Sequence, residues 1–189
     1  GGGFQNAPDM RSAALTDIEG NDYGQKIRDD MQKYWGSFVT LNGRGEMVSN
    51  KNSYCALDPE VKNQWGFPVL KFFFEWTDYE YKQVAHMQRT FTDMIERAGG
   101  TVFGDLKAPK EAISKPGAMV HEVGVTRMGS DPKTSVCDPN GRTWDVDNLY
   151  VMDGGVLPTN PHKNPTLHIM ALAWKNCENL AERLRKNEI

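Results

Sequence analysis

The sequence predicts an α+β fold, in which a mixed and largely antiparallel sheet is flanked by two long helices. Runs of β-favouring residues separated by turn residues fill much of the first half of the chain. Two long amphipathic patterns, one after Thr77 and one after Asn164, have the spacing of helices. We therefore expect one mixed sheet, with one helix following its main strand and another near the end of the chain.

Residues 1–34 are polar and are expected to be a loop-rich lead-in. Several short strands are then expected, of which the last is the strongest because it is rich in aromatic and β-branched residues. The candidates are 37–41, which ends at the turn signal Asn42-Gly43, then 47–49, 54–57 and 68–76. Asp58 and Pro59 favour a loop that continues through Gly66.

A capping box marks the start of the first long helix. The Thr77 side chain can accept from the backbone amide of Glu80, whose carboxylate can bond back to Thr77. Apolar residues then recur every three or four positions, and Gly99-Gly100 is a typical helix stop. Residues 101–103 are a weaker strand candidate, and 108–117 are expected to be loop.

The final third contains short elements between glycines. Residues 121–129 are expected to be a strand or turn, and 131–141 a loop. A short buried strand over 148–153 is expected to end at Gly154-Gly155. Asn164 as N-cap and Pro165 at the first helical position then predict a helix over 165–186.

Composition excludes several classes of protein. The 189 residues contain 22 Lys+Arg and 25 Asp+Glu, a net charge of −3, which argues against a nucleic-acid binder. The densest apolar stretch, 68–76, contains Lys71 and Glu75, so no membrane span is predicted. Three cysteines do not make a disulfide framework or a zinc site. The first eight residues do not predict a signal peptide, and the compartment stays open.

Of the four histidines, His121 has the most suggestive surroundings, because glycines that follow it let the backbone approach a ligand closely. His86 is expected at the surface, and His168 is expected to be packed or structural. His162 and His168 lie six positions apart, which is not the spacing of two metal ligands on one helical face. The sequence therefore predicts no metal site.

Several motifs in order resemble the C-terminal region of glucose–methanol–choline (GMC) oxidoreductases, which are FAD-dependent enzymes that oxidise alcohols and sugars. The resemblance is close over 119–185 and looser back to residue 35, and it favours the sugar-oxidising branches. The residues that carry it are His121, Gly124, Thr126 to Gly129, Asn148 to Gly154, Pro158-Thr159, Asn164 to Leu167 and Ala171 to Ala173.

The resemblance implies a site and a cofactor. His121 matches the family's catalytic histidine, and Asn164 matches its partner. An imidazole can accept the hydroxyl proton while hydride passes to N5 of FAD, whereas an amide can only hydrogen-bond the substrate oxygen. The residues implied to bind FAD are Asp153, Gly154, Asn164, Pro165 and Thr166. Asp153 has a second reading as a turn residue, and Asn164 a second reading as a helix cap.

The resemblance also implies a missing half. A GMC enzyme holds the FAD pyrophosphate on a Gly-x-Gly-x-x-Gly turn, and no such turn is found in this sequence. We expect 35–118 to be a substrate-binding domain and 119–189 a catalytic segment, inactive without an N-terminal FAD-binding half. That half would belong to the same precursor chain or to a separate one. The alternative is a non-catalytic glycan-binding or interaction module; a hydrolase is disfavoured because Ser130 and Ser135 lack a nucleophile elbow.

Overall fold

The computed structural model describes residues 24–34, 36–37, 39–102, 106–118 and 121–188. Within them it is an α+β protein, as predicted. The helices are α1 (Gln25–Tyr34), α2 (Asp78–Arg97), α3 (Pro109–Ala112) and α4 (Thr166–Arg185). The strands are β1 (Met47–Val48), β2 (Tyr54–Lys62), β3 (Pro68–Phe73) and β4 (Thr159–Asn160), with one turn of 3-10 helix at Gly154–Val156 before β4.

The chain divides into two compact units. The first contains the described residues of 44–80 and 115–189, and the second contains those of 2–43 and 81–114. All four strands and α4 belong to the first unit. The boundaries expected after residues 34 and 118 stay predictions.

The strands form two separate antiparallel pairs in the described residues, in place of the single sheet expected. β2 pairs with β3 from Tyr54 opposite Phe73 to Lys62 opposite Pro68, and β1 pairs with β4. The loop expected over 58–66 begins only after Lys62, because β2 continues through an irregularity in its pairing with β3. Asp58 Oδ1 accepts from the amides of Val61 and Glu60 at 3.0 and 2.9 Å, which lowers the pKa of Asp58. Pro59, which has no amide to donate, lies within the irregular part of the pairing, between Leu57 and Lys62.

The start and the end of α2 are as the sequence predicts. Glu80 Oε2 accepts from the backbone amide of Thr77 at 2.8 Å, and Thr77 Oγ1 accepts from the amide of Tyr79 rather than that of Glu80. At the other end Gly99 has φ +80°, and the amide of Gly100 bonds to the carbonyl of Ile95. This is a Schellman motif, in which the left-handed residue is a glycine.

Other expectations for local structure are wrong. The described residues of 37–41 and 101–102 are not strands, and 148–153 is irregular, with one isolated bridge from Tyr150 to Arg142. Residues 25–34 are helical where loop was expected, with Gln25 bonded to Asp29 one turn later. Residues 109–112 form one helical turn, which Pro109 begins. The predicted loop over 1–23 and the part of the strand candidate at 103 lie outside the described residues.

The first unit is built around a small apolar centre. The described apolar residues that are buried are Cys137, Val156 and Leu157, and burial raises the pKa of the Cys137 thiol. Two side chains of α4 bond to preceding loops: Lys175 Nζ, in the middle of the helix, lies 2.9 Å from the carbonyl of Pro139, and Arg183, near its end, donates to the Tyr150 hydroxyl. No helix in the described part of the chain is long and apolar enough to cross a membrane.

Candidate functional site

The segment after His121 lies along the 3-10 turn and is held there by backbone hydrogen bonds. The amides of Gly124, Thr126 and Met128 donate to the carbonyls of residues 154, 155 and 156 at 3.1, 3.0 and 2.8 Å. Gly124 has φ +89°, a conformation that favours glycine. Two of the glycine-punctuated segments that the sequence singled out therefore lie side by side.

The glycines of the 3-10 turn are required by packing. A Cβ on Gly154 would lie 2.9 Å from Ile169 Cδ1 of α4 and 3.1 Å from Val123 Cγ1. A Cβ on Gly155 would lie 2.4 Å from Thr126 Oγ1. These glycines let the His121 segment, the turn and α4 pack closely, which is a structural reason for them that needs no ligand.

Asp153 caps this turn. Its Oδ1 accepts from the amide of Gly155 at 2.7 Å, so the reading of Asp153 as a turn residue is confirmed. The side chain is exposed, whereas Gly154 is buried. Their role in binding FAD stays a prediction.

A side chain of β4 bonds to the backbone of His121, and the same strand precedes Asn164 in the sequence. In the pairing of β1 with β4, Met47 lies opposite Asn160, and Asn160 Nδ2 donates to the backbone carbonyl of His121 at 2.8 Å. Asn164 follows Asn160 by four residues, which is at most about 14 Å of chain. The backbone of His121 is thus bonded to a β4 residue that precedes Asn164 by four positions, although the two predicted catalytic residues are 43 positions apart (164 − 121).

Sequence reasoning missed Asn160, because a strand of two residues is too short to show the alternation by which strands are recognised. We expect Asn160→Asp to lower the free energy of unfolding by about 1–3 kcal/mol, since it removes the donor and puts a carboxylate against the His121 carbonyl. Urea denaturation followed by circular dichroism measures this loss. Asn148→Asp, at an exposed turn residue, is the matched control, and an equal loss in both variants would contradict the assignment.

Asn164 does not cap α4 as the sequence predicts. The helix begins at Thr166, with Pro165 as the preceding residue, and the amide of Ile169 bonds to the carbonyl of Pro165 at 2.9 Å. Asn164 Oδ1 instead accepts a hydrogen bond from Arg44 Nη1. Arg44 lies three residues before β1, so the antiparallel pairing of β1 with β4 carries it to Asn164.

The beginning of α4 suits an electron-rich group. The first turn contains no acidic residue, and the first amides of a helix have no partner within it. Thr166 and Asn164 are exposed there, whereas Pro165 is buried.

No group of three or more His, Cys, Asp or Glu side chains that could hold a metal ion occurs among the described residues.

A concavity lies at the far end of α4, away from the candidate site, and is poorly suited to a ligand. It has a volume of about 320 Å³, and its charged side chains pair with one another. Lys186 Nζ lies 2.7 Å from Glu182 Oε1, and this contact raises the pKa of the lysine and lowers that of the glutamate. The lining residues are Asp138, Asn140, Arg142, Asn179, Glu182, Arg183, Lys186 and Glu188.

Comparisons with known proteins identify relatives of this chain. The profile of a family described as GMC oxidoreductase matches residues 49–173. A C-glycoside 3-oxidase of Arthrobacter globiformis is 32% identical over 79% of this chain and 28% of its own length. The gluconate 2-dehydrogenase flavoprotein of Pantoea cypripedii is 26% identical over 87% of this chain and 27% of its own.

The fructose dehydrogenase large subunit of Gluconobacter japonicus is 23% identical over 97% of this chain and 32% of its own length. The chain therefore spans less than a third of the length of these curated relatives. Their names describe sugar oxidases and dehydrogenases, one a flavoprotein and one a subunit of a larger assembly.

Proposed function

The chain belongs to the GMC oxidoreductase family, and we propose that it forms the substrate-binding and catalytic part of an FAD-dependent oxidoreductase that oxidises a CH–OH group of a sugar or another alcohol. The observation that supports this best is the pairing of β1 with β4, since it ties the His121 segment, through Asn160, to the strand that leads to Asn164.

The proposed chemistry needs a proton acceptor and a group that holds the substrate oxygen. His121 accepts the hydroxyl proton, because an imidazole can take up a proton at neutral pH and an amide cannot. Asn164 hydrogen-bonds the same oxygen as it becomes a carbonyl. FAD, when bound, supplies the acceptor for the hydride that leaves the carbon.

The residues present fit one part of such a cofactor. When FAD is bound, Asn164, Pro165 and Thr166 would hold it at the start of α4, where the backbone amides of the first turn, other than that of Pro165, and the positive dipole end would favour the negative charge that flavin reduction builds. Asp153 and Gly154 would lie along the rest of the cofactor. The described residues contain no βαβ unit, and the pyrophosphate would be held by the FAD-binding half proposed below.

Exposed apolar surface supports the existence of that half. On α4, the side chains of Leu167, Met170 and Trp174 lie on one face and are 75%, 64% and 72% exposed. On the hairpin of β2 and β3, Phe67 and Phe72 are exposed as well. Soluble proteins rarely expose contiguous apolar surface of this kind unless a partner covers it. An N-terminal FAD-binding half, in the same precursor or in a separate chain, is the partner we propose.

The native protein tests this proposal. Isolated from its source with an antibody to this chain, it should contain additional polypeptide, either within the same molecule or in a second chain, and show the visible spectrum of a flavin. Anaerobic addition of D-gluconate, D-fructose or a C-glycoside, chosen from the names of the relatives, should bleach that spectrum. Colourless native material of 21.3 kDa would contradict the proposal.

A glycan-binding module without FAD is the second candidate, and one observation favours it. Trp65, at the turn between β2 and β3, is 72% exposed, and exposed aromatic faces are suited to stacking on sugar rings. Trp76 is less suited to this role, because it is half-buried and packs edge-on against Phe74, with the two ring centroids 4.8 Å apart. Binding of a pyranose to colourless native protein in calorimetry, abolished by Trp65→Ala, would support this second function.

A further inference from the structure

We propose that Arg44 is a positioning residue for Asn164: it fixes the direction of the Asn164 amide, so that the nitrogen of that amide, and not its oxygen, faces the substrate hydroxyl. The proposal rests on the function proposed above. It starts from the hydrogen bond that Arg44 Nη1 donates to Asn164 Oδ1, between residues 120 positions apart in the sequence.

The chemistry of the two side chains fixes which amide atom is held. A guanidinium has five N–H donors and no acceptor, so the Asn164 atom bonded to it must be the amide oxygen. The Nδ2 group, on the other branch of the same planar amide, is then the one offered to a ligand. Without Arg44 the amide could turn over and present its oxygen instead.

The direction of this amide matters for the proposed reaction. As the substrate hydroxyl loses its proton to His121, its oxygen gains negative charge, which an N–H donor stabilises and an amide oxygen repels. Removing a single donor of this kind from an active site lowers kcat by about 10²–10³. The backbone supports the arrangement, since the pairing of β1 with β4 fixes Arg44 and Asn164 to neighbouring strands.

A double-mutant cycle in the intact flavoprotein tests the proposal. Flavin reduction is followed by stopped-flow absorbance under anaerobic conditions with D-gluconate, D-fructose or a C-glycoside, whichever bleaches the flavin fastest. We expect Asn164→Ala to lower the limiting rate constant by about 10²–10³ and Arg44→Met to lower it by about 10–10². In the Asn164→Ala background, Arg44→Met should change it by less than about twofold.

Two further variants separate positioning from a general loss of structure. Arg44→Lys keeps a donor that cannot accept, so it should recover most of the rate that Arg44→Met loses. Arg89→Met, at an exposed arginine of α2, is the control and should leave the rate unchanged.

A second measurement does not depend on turnover. In the flavin-free protein, ¹⁵N relaxation of the selectively labelled Asn164 side-chain amide should show restricted motion of Nδ2. The motion should stay restricted in Arg44→Lys and increase in Arg44→Met.

The outcomes distinguish this proposal from the function on which it rests. If substrate never reduces the flavin, the proposed function fails. If reduction occurs and Arg44→Met slows it by the same factor with asparagine and with alanine at 164, Arg44 acts on the substrate directly and the positioning role is wrong. An effect of Arg44→Met on KM alone, with the limiting rate constant unchanged, would overturn it as well.

Discussion

His121→Ala in the flavin-loaded protein is expected to lower the rate constant of substrate-dependent flavin reduction by about 10²–10⁴, the usual contribution of a general base. The substitution removes the imidazole but leaves the main chain. Because Asn160 bonds to the backbone carbonyl of His121, alanine at this position keeps the contact that holds the segment on β4. The loss should therefore appear in the chemical step, measured by anaerobic stopped-flow absorbance, and not in the unfolding free energy.

The matched control for this prediction is His86→Ala, because His86 is exposed on α2 and belongs to the other compact unit. Its rate constant should equal that of the unaltered protein. Reduction at the normal rate in His121→Ala would show that another group takes the hydroxyl proton. A fall in both variants would point to loss of structure and would leave the base assignment without support.

The elements that the sequence predicts correctly are those whose signals are local. The bond from the Thr77 amide to Glu80 and the Gly99-Gly100 stop each involve residues within one or two helical turns, so the pattern of side chains is enough to reveal them. The same holds for the existence of β3, although it ends at Phe73 and not at residue 76 as expected. The α+β class and the resemblance to GMC oxidoreductases follow from features of this kind, and both are confirmed.

The parts of the candidate site that the sequence does not reveal depend on contacts between distant segments. β1 and β4 have two residues each and show no periodicity, yet their pairing delivers Arg44 to Asn164 and Asn160 to the carbonyl of His121. The expectation that Asn164 caps α4 fails for the same reason. The local sequence predicts that the Asn164 side chain accepts from the first amides of the helix, whereas it accepts from an arginine that is distant in the sequence. Motif resemblance identified the two catalytic candidates but not the residues that hold them.

Glu80→Ala is expected to lower the free energy of unfolding by about 2–3 kcal/mol, more than any other single substitution in α2. The Glu80 side chain is only 3% exposed, and it accepts hydrogen bonds both from the start of α2 and from β1. Its Oε2 accepts from the amide and the hydroxyl of Thr77 at 2.8 and 2.5 Å, and its Oε1 from the amide of Val48 in β1 at 3.2 Å. Alanine leaves all three donors without this acceptor.

Urea denaturation monitored by circular dichroism measures that loss. The control is Glu96→Ala, at an exposed glutamate of the same helix, and its free energy of unfolding is expected within about 0.5 kcal/mol of that of the unaltered protein. Glu80→Gln should fall between the two, because its amide keeps one acceptor oxygen while its nitrogen opposes a donor. The Val48 amide of β1 loses its bond to residue 80 in Glu80→Ala, and Arg44 lies just before β1. We therefore expect slower flavin reduction in this variant even while the protein is folded. Stability equal to that of Glu96→Ala would mean that water replaces the carboxylate and that Glu80 stabilises neither the helix start nor the contact with β1.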